Sequence, residues 1–339
     1  MPRPFADYSW KEWRRIRPLV ERYKHARYQL YSAYTIRRAA PPPSIAVIRD
    51  RIRGNNVIAS IAFNDFERID QQARLVRRFV KDAVYLICDN SSNSTIARYV
   101  EDMANRQDIL YVRLPRSPWS DRDFSRDHGF AMTWVWRHVL HPGQPRSFGF
   151  VDQDMYPLRP TDPFAPLASY PIAGRVMAYE PSVHCKQMTH WYLWAGFCFF
   201  RYNAMRRIRL NFGLDALAGF DTGFLNWHRL YRYLDHLQVP EPPFTVQAIL
   251  PNIPAEQCAI EYIGDWLHES RFRNLELHEA KRRWVQELLA PLLASEADNT
   301  PDLVKIRSLA AHEAQKIVDQ VSDANQRALL KHIASRKTS

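Results

Sequence analysis

The sequence is poor in glycine and cysteine. Of its 339 residues only ten are Gly, whereas 23 are Pro, so stiff loops are expected to join the packed elements. The four cysteines include no C-x-x-C pair, which argues against a zinc knuckle. Cys88 and Cys198 lie in apolar runs and are expected to be small buried side chains in a reducing compartment.

Long apolar runs are also missing. The N-terminal segment MPRPFADYSWKEW lacks the apolar stretch of a secretory signal. The longest apolar run, WYLWAGFCFF at 191–200, is half of the roughly 20 residues that a membrane span needs. We therefore expect a cytoplasmic protein, and a peripheral position on the inner face of a membrane remains open.

Charge is distributed unevenly along the chain. The formal net charge is +11, and residues 1–53 contain thirteen Lys or Arg but only four Asp or Glu. Residues 10–38 have a helical pattern and Pro41 to Pro43 end it, so 1–53 is predicted to be a basic helical extension. Such an arm can bind anionic lipid, an acidic glycan or nucleic acid, or form a solvated helix face. The apolar residues of the helical pattern are Trp10, Trp13, Ile16, Val20, Tyr23 and Leu30.

Strand and helix patterns then alternate. Buried strands are predicted at 57–63, 84–88, 109–112 and 148–151, with helices at 67–82, from 94 and at 123–140. This alternation predicts an α/β domain over 54–275, built on a mostly parallel sheet with flanking helices. Less regular patterns predict added strands at 176–180 and 195–201 and a helix at 221–237. Residues 276–339 are predicted to form a helical C-terminal extension, with one helix running from Thr300 to about Ile333.

Acidic residues follow three of the predicted strands. Asp65 comes after the first, Asp89 after the second, and Asp152 and Asp154 after the fourth. Ligands of an open parallel sheet bind beyond the carboxyl ends of its strands, so these acids are expected along one edge. Two carboxylates in a D-x-D are hard oxygen ligands suited to Mg²⁺ or Mn²⁺, ions that also bind substrate phosphates. The pattern therefore indicates a metal-assisted diphosphate site.

Several motifs together resemble those of GT-A-fold glycosyltransferases of the family-2 type. They are VIASIAFND (57–65), VYLICDNSSN (84–93), FGFVDQDMYP (148–157), the Ser125-x-x-His128-Gly129 segment and WLHESRF (266–272). The resemblance covers 55–275, about two thirds of the chain. It implies a GT-A fold and transfer of a sugar, such as a hexose, from a nucleotide diphosphate sugar to an acceptor hydroxyl. A UDP-sugar is favoured as the donor, and a surface glycan or its lipid-linked precursor as the acceptor; no nucleic-acid partner is expected.

The resemblance also implies roles for particular residues. Asp89 would bind the nucleotide base, while Phe63, Asn64 and Asp65 would flank the base and ribose. Asp154 would bind the metal, and Asp152 would bind ribose or metal. His268 would bind the metal or the diphosphate. Arg126 and Arg271 would bind the diphosphate.

The catalytic base and the acceptor site are less clearly marked. Asp221 in GFDTGFLNW (219–227) is the candidate base, although the Glu-Asp pair typical of the family is absent; Asp215 and Glu180 are alternatives. Trp191, Trp194 and Trp227 could stack on a sugar or pack in the core.

Other functions remain open. The D-x-D also suits a haloacid-dehalogenase-like phosphatase, but Tyr156 stands where that motif has Thr or Val. A sugar nucleotidyltransferase would favour a Gly-rich loop after the first strand, and 64–70 contains no Gly. The single D-T-G at 221–223 is typical of aspartic proteases, which need two such loops or a dimer. A non-catalytic protein could bind anionic polymers through the basic arm, with a strong dependence on salt.

Overall fold

Two β-sheets form the framework in the part of the chain that the structure, a computed structural model, describes. The described residues are 5–117, 119–120, 123–179, 190–215, 219–249, 259–270 and 275–294. The larger sheet has the order β3-β2-β1-β4-β7-β6, and the smaller has the order β5-β10-β9-β8. The strands are β1 (Asn56–Ala62), β2 (Ala83–Asp89), β3 (Leu110–Arg113), β4 (Ser147–Asp152), β5 (Met155–Pro157), β6 (Ile172–Tyr179), β7 (His190–Arg201), β8 (Phe244–Ala248), β9 (Ala259–Ile263) and β10 (Trp266–His268).

Four consecutive strands of the larger sheet, β3, β2, β1 and β4, are parallel. β1 pairs with β2 and β4, and β2 pairs with β3, all in parallel register. β7 pairs with β4 in antiparallel register and β6 extends the sheet from β7. The predicted α/β class, the four parallel strands and the two added strands are therefore confirmed. The carboxyl ends of β2, β1 and β4 lie side by side, as the sequence pattern required.

Helices cover both faces of the larger sheet. Alternate residues of the fully buried β1 face opposite sides: Val57 and Ala59 pack with α3 and α6, whereas Ile58 and Ala62 pack with α4 and α5. The α-helices are α1 (Trp10–Arg14), α2 (Arg17–Arg38), α3 (Ile45–Ile52), α4 (Phe66–Phe79), α5 (Ser94–Arg106), α6 (Phe124–Val135), α7 (His141–Gly143), α8 (Tyr202–Met205) and α9 (Leu275–Leu293). A π-helical turn covers Trp136–Leu140, and 3₁₀ turns cover Phe5–Asp7, Ala165–Ala168, Phe224–Asn226, Tyr231–Tyr233 and His236–Gln238.

The N-terminal helices contact the α/β unit through a few specific bonds. The Trp134 indole donates to the Ala39 carbonyl at 3.1 Å, and Arg49 donates two bonds to the His138 carbonyl at 3.0 and 2.7 Å. Ile48 and Ile52 of α3 are buried in the core. The predicted helix over 10–38 is interrupted at Ile16, whose φ of 48° is left-handed. The predicted extension therefore packs on α6 and the π-helical turn.

The apolar face predicted for 10–38 is largely uncovered. Trp10, Tyr23 and Leu30 are 78%, 66% and 72% exposed, and Ile16 and Val20 are also exposed. The buried positions of α2 are instead Pro18, Tyr28 and Ile36.

The helix predicted at 221–237 is wrong, because this segment forms only short 3₁₀ turns. Its backbone bonds to a neighbouring loop: the Gly223 N–H donates to the Phe212 carbonyl at 2.8 Å and the Leu225 N–H to the Gly213 carbonyl at 3.1 Å. Gly223 has a φ of 101°, which an α-helix does not allow. The predicted helix from Thr300 to about Ile333 lies outside the described residues.

Cys88 and Cys198 are buried free thiols, as predicted. Among the described helices, none combines the length and the apolar character needed to cross a membrane.

Candidate active site

The acidic turn after β4 is fixed by two glutamines. Gln153, between the two acids, accepts from the Phe63 N–H at 2.7 Å and donates to the Phe63 carbonyl at 3.3 Å. Gln72 of α4 donates to the carbonyls of Asp152 and Met155, each at 2.6 Å. These bonds hold the D-x-D turn against the ends of β1 and α4, so its carboxylates have a defined position.

The smaller sheet brings a histidine to the same turn. β10 pairs antiparallel with β5, and this register sets His268 opposite Met155. His268 Nε2 lies 3.5 Å from Asp154 Oδ1. One ligand atom from each of Asp152, Asp154 and His268 lies within 4.8 Å of the other two. Two carboxylates and an imidazole at this spacing fit a divalent cation, which could take its remaining ligands from water and phosphate.

Glu261 orients the histidine. His268 Nδ1 lies 2.6 Å from Glu261 Oε2 on the adjacent strand β9, so this nitrogen donates to the carboxylate and Nε2 faces Asp154. Burial alone would lower the pKa of His268, but Asp154 and Glu261 outweigh it and raise that pKa to about 10. A carboxylate behind a metal-binding histidine is the usual way to fix its ring and tautomer. Glu261 is thus a positioning residue that the sequence analysis missed.

Asp152 is partly buried and lies between several charged groups. Burial raises its pKa, His128 and His268 oppose the shift, and Asp154 and Asp221 add to it. His128 Nε2 is 3.6 Å from Asp152 Oδ1, so the Ser125-x-x-His128-Gly129 segment reaches the acids. A Cβ on Gly196 would lie 2.5 Å from Asp152 Oδ2 and closer still to the Trp194 ring, so the site requires glycine there. Carboxylates held this close favour a counter-cation.

One of the three candidate tryptophans borders the acids. The Trp194 ring centroid is 4.7 Å from that of His268, and the side chain is partly exposed. Trp191 and Trp227 are buried in the core. Core packing, the alternative to sugar stacking, therefore holds for these two.

The ends of β1 and β2 are tied to each other. The Asn64 N–H donates to Ser91 Oγ at 2.9 Å, and Asn64 Oδ1 accepts from the Asn93 N–H at 2.9 Å. Asn64 adopts a left-handed φ of 49°, which Asn tolerates well. The sequence prediction that 63–65 adjoins the end of β2 agrees with this geometry.

Asp89 is fully buried at the end of β2. Its carboxylate accepts from the Ser91 N–H and the Tyr111 hydroxyl, each at 2.8 Å, and lies 2.9 Å from Arg113 Nη1. These three donors surround the carboxylate and leave it with no exposed surface. Its role in binding a nucleotide base remains a prediction.

Asp65 and Arg126 also have partners within the chain. The Asp65 carboxylate accepts from the Arg68 N–H at 3.2 Å, which caps α4, and it pairs with the Arg68 guanidinium. Arg126 Nε lies 3.2 Å from Asp123 Oδ2, and its guanidinium lies over the Tyr28 ring at 4.9 Å. Neither belongs to the three-residue cluster of metal-ligand atoms. The predicted nucleotide roles of both residues remain predictions.

Asp221 is exposed, and its charge acts on Asp152, although it is not one of the clustered ligands. Its Oδ1 accepts from the Thr222 N–H at 2.7 Å. Asp215, the alternative base, is fully buried with Oδ1 at 3.7 Å from His25 Nδ1. Glu180 and Arg271 lie outside the described residues.

A buried ion network supports the metal-ligand cluster from behind. Glu269 follows His268 and pairs with Arg68 and Arg282, each at 2.6 Å, and its N–H donates to the Asp154 carbonyl at 2.9 Å. Burial would raise the pKa of Glu269, but the two arginines lower it to about 2. Glu269 stands in the WLHESRF motif, whereas nothing in the sequence connects it to Arg68, 201 residues away.

No protein-family model matches the sequence, and no curated protein matches it. Solved structures that match the chain include the mannosyltransferase PcManGT from Pyrobaculum calidifontis in complex with GDP-Man and Mn²⁺. That match has 13% identity and a TM-score of 0.31, and it covers 56% of each chain.

A second similar structure is the galactosyltransferase LgtC in complex with donor and acceptor sugar analogues. It has 14% identity and a TM-score of 0.31, and covers 44% of this chain and 59% of that one. The apo glycosyltransferase GlyE of Streptococcus pneumoniae TIGR4 matches at 11% identity and a TM-score of 0.25, over 45% of this chain and 35% of that one. The chain spans less than two thirds of each of these proteins. All three are glycosyltransferases.

Proposed function

We propose that the chain is a metal-dependent glycosyltransferase that moves a sugar from a nucleotide diphosphate sugar to a hydroxyl of a glycan or glycolipid. The observation that carries this proposal is the clustering of Asp152, Asp154 and His268 beyond β4, beside the ends of β1 and β2. A divalent cation held by this cluster would neutralise the charge that develops on a departing nucleoside diphosphate.

The chain's own residues divide into a metal side and a nucleotide side. Asp152 and Asp154 would hold the cation, His268 would complete its protein ligands, and Glu261 would keep the His268 ring oriented. On the nucleotide side, Asp89 is proposed for the ring N–H of uracil; because its carboxylate is fully buried and held by Ser91, Tyr111 and Arg113, one of these partners would have to give way to the base. Uracil has this donor and cytosine does not.

Asp221 is the proposed general base. It is exposed, so an acceptor hydroxyl can reach it, and the effect of its charge on Asp152 supports a role near the acidic cluster. Trp194, beside His268, offers an apolar ring on which a sugar face can stack. Asp221 would thus act on the acceptor hydroxyl, and Trp194 would contact a sugar ring.

The basic N-terminal helices support a proposal about location. Their exposed side chains include Trp10 and Leu30, and 1–53 has an excess of nine positive charges. Aromatic and aliphatic side chains interspersed with Lys and Arg suit the surface of an anionic membrane. We propose that α1 and α2 rest on such a surface near a lipid-linked acceptor.

The proposed function is tested by thermal unfolding with UDP, with and without Mn²⁺. UDP with Mn²⁺ at saturating concentration should raise the unfolding midpoint by at least about 3 °C, and UDP with EDTA should not. Asp154→Asn should abolish the shift while its own unfolding remains cooperative. Asp102→Asn, an exposed acid on α5, is the matched control and should keep the shift.

Stabilisation by UDP that ignores the metal, or that survives in Asp154→Asn, would contradict the metal role. A shift with GDP but not UDP would correct the nucleotide and leave the reaction class intact. Indifference to every nucleoside diphosphate would refute the proposed function.

A further inference from the structure

A cavity lies between α2 and the α/β unit. Its volume is about 730 Å³, within the range of small-ligand sites. Tyr28 and Ile36 of α2 form one wall, and Trp136, Leu210 and Leu225 contribute apolar surface from the other side. The cavity is thus large enough for a ligand with several polar groups and an apolar part.

Arginine dominates the polar lining of this cavity. None of the described residues that line it is Asp or Glu. The cavity is therefore strongly cationic, and we name it the arginine cavity. Its six arginines are Arg37, Arg137, Arg206, Arg207, Arg209 and Arg229.

These guanidinium groups have few partners within the described chain. The one bond found for their side chains joins Arg229 Nη1 to the Arg209 carbonyl at 2.6 Å, and no carboxylate of a described residue forms an ion pair with any of the six. All six residues are exposed. Because like charges around one cavity repel each other, this arrangement is best stabilised by an anion that contacts several of them.

The arginine cavity is separate from the metal-ligand cluster. Arg201, the last residue of β7, pairs with Ser147 at the start of β4, whereas the acids follow the end of β4. Three of the cavity's arginines come within eight residues after Arg201. They therefore lie toward the edge of the sheet opposite Asp152 and Asp154.

We propose that the arginine cavity binds a ligand with two or more neighbouring phosphate groups. The guanidinium group presents planar pairs of N–H donors that match phosphate oxygens, and several such groups can share one clustered anion. The ligand is either a soluble phosphorylated compound or the phosphorylated head group of a lipid. This site does not depend on the proposed transferase reaction.

The soluble form is tested with inorganic pyrophosphate in EDTA, which keeps metal from the Asp152–Asp154–His268 cluster. Isothermal titration compares the full chain with Arg207→Gln/Arg209→Gln. The matched control is Arg77→Gln/Arg98→Gln, which has the same net charge and changes exposed arginines on α4 and α5. Affinity should fall at least about tenfold in the cavity variant and remain near the original in the control.

The lipid form is tested by co-sedimentation with phosphatidylcholine vesicles that contain phosphatidylinositol 4,5-bisphosphate. Vesicles with phosphatidylserine at matched surface charge report general electrostatic binding. Binding to the bisphosphate vesicles that exceeds binding to the phosphatidylserine vesicles and falls only in the cavity variant supports a lipid head group. Pyrophosphate binding that falls only in the cavity variant, without preferential binding to the bisphosphate vesicles, supports a soluble ligand.

Equal losses in the two variants, or no binding of either probe, would overturn the proposal. Failure of UDP to bind with Mn²⁺ would refute the proposed function without affecting this result, since pyrophosphate is tested without metal.

Discussion

Single side chains determine whether the candidate active site can hold a cation. His268 lies between Asp154 on one ring nitrogen and Glu261 on the other, so its orientation is set from behind. Glu269, one residue later, is locked into a separate buried network by two arginines. Neighbouring residues of one short segment thus belong to the candidate metal site and to a buried ion network respectively, and each can be tested alone.

Replacing Glu261 by Gln should weaken Mn²⁺ binding by about 10–100-fold, because the His268 ring loses the carboxylate that fixes it. Isothermal titration with Mn²⁺ measures the change. Glu287→Gln on the exposed side of α9 is the control and should bind Mn²⁺ as the unmodified chain does. Equal affinities in all three proteins would show that Glu261 does not position the ligand.

Glu269 should contribute to acid sensitivity. Its pKa in the folded state is lowered from an ordinary value of 4.5 to about 2. Its contribution to the free energy of unfolding is therefore complete above pH 4.5 and is lost as the pH falls toward about 2, an effect of about 3 kcal/mol.

Urea unfolding of Glu269→Gln across this pH range measures the effect. At neutral pH the variant should be about 3–5 kcal/mol less stable, since Arg68 and Arg282 lose a buried partner. Its stability should fall less steeply with acid than that of the unmodified chain. Parallel pH profiles for the two proteins would contradict the assignment.

At the scale of elements, continuous apolar runs were the most reliable signal. VIASIAF predicted β1 because a strand buried on both faces needs apolar residues at successive positions. The alternation of strands with helices predicted a mostly parallel sheet, and in that sheet the D-x-D follows the same edge as the ends of β1 and β2. The pairing of β10 with β5, which delivers His268, could not be predicted because both strands have only three residues.

Helical periodicity alone was a weaker guide. The segment 221–237 has the spacing of a helix, but its N–H groups bond to the 212–213 loop. The pattern at 10–38 correctly indicated helix, while its apolar residues lie largely in solvent. Periodicity reports which residues share a face, and only the surrounding structure decides whether that face is covered.

The exposed residues of α1 and α2 should contribute to membrane binding. Trp10→Ser/Leu30→Ser should reduce binding to phosphatidylglycerol vesicles severalfold and leave the unfolding midpoint nearly unchanged, because both side chains are exposed. Co-sedimentation measures the binding. The control is Leu237→Ser/Tyr233→Ser. These side chains lie outside α1 and α2 and are 82% and 71% exposed. An equal reduction in both double variants would argue against a specific membrane face.

At the scale of the whole molecule, α9 belongs to the structure that supports the candidate active site. Val285 and Leu289 are fully buried with Leu75 of α4, Tyr156 of β5 and Leu267 of β10. Arg282 adds the ion pair to Glu269. The sequence prediction assigned α9 to a C-terminal extension, and these contacts connect that extension to the strand that carries His268.

Leu289→Ala should destabilise the chain by about 2–5 kcal/mol, because it opens a cavity in this cluster. Arg283→Ala on the exposed side of the same helix should stay within about 0.5 kcal/mol. Urea unfolding measures both. A near-neutral Leu289→Ala would mean that α9 can leave the α/β unit at little cost.

Gln153 links the two halves of the candidate site through paired bonds to the Phe63 backbone. Because its amide bonds both backbone groups of Phe63, the acidic turn and the end of β1 form one connected surface. A ligand that binds the carboxylates on either side of Gln153 would therefore adjoin the backbone that borders the expected nucleoside position.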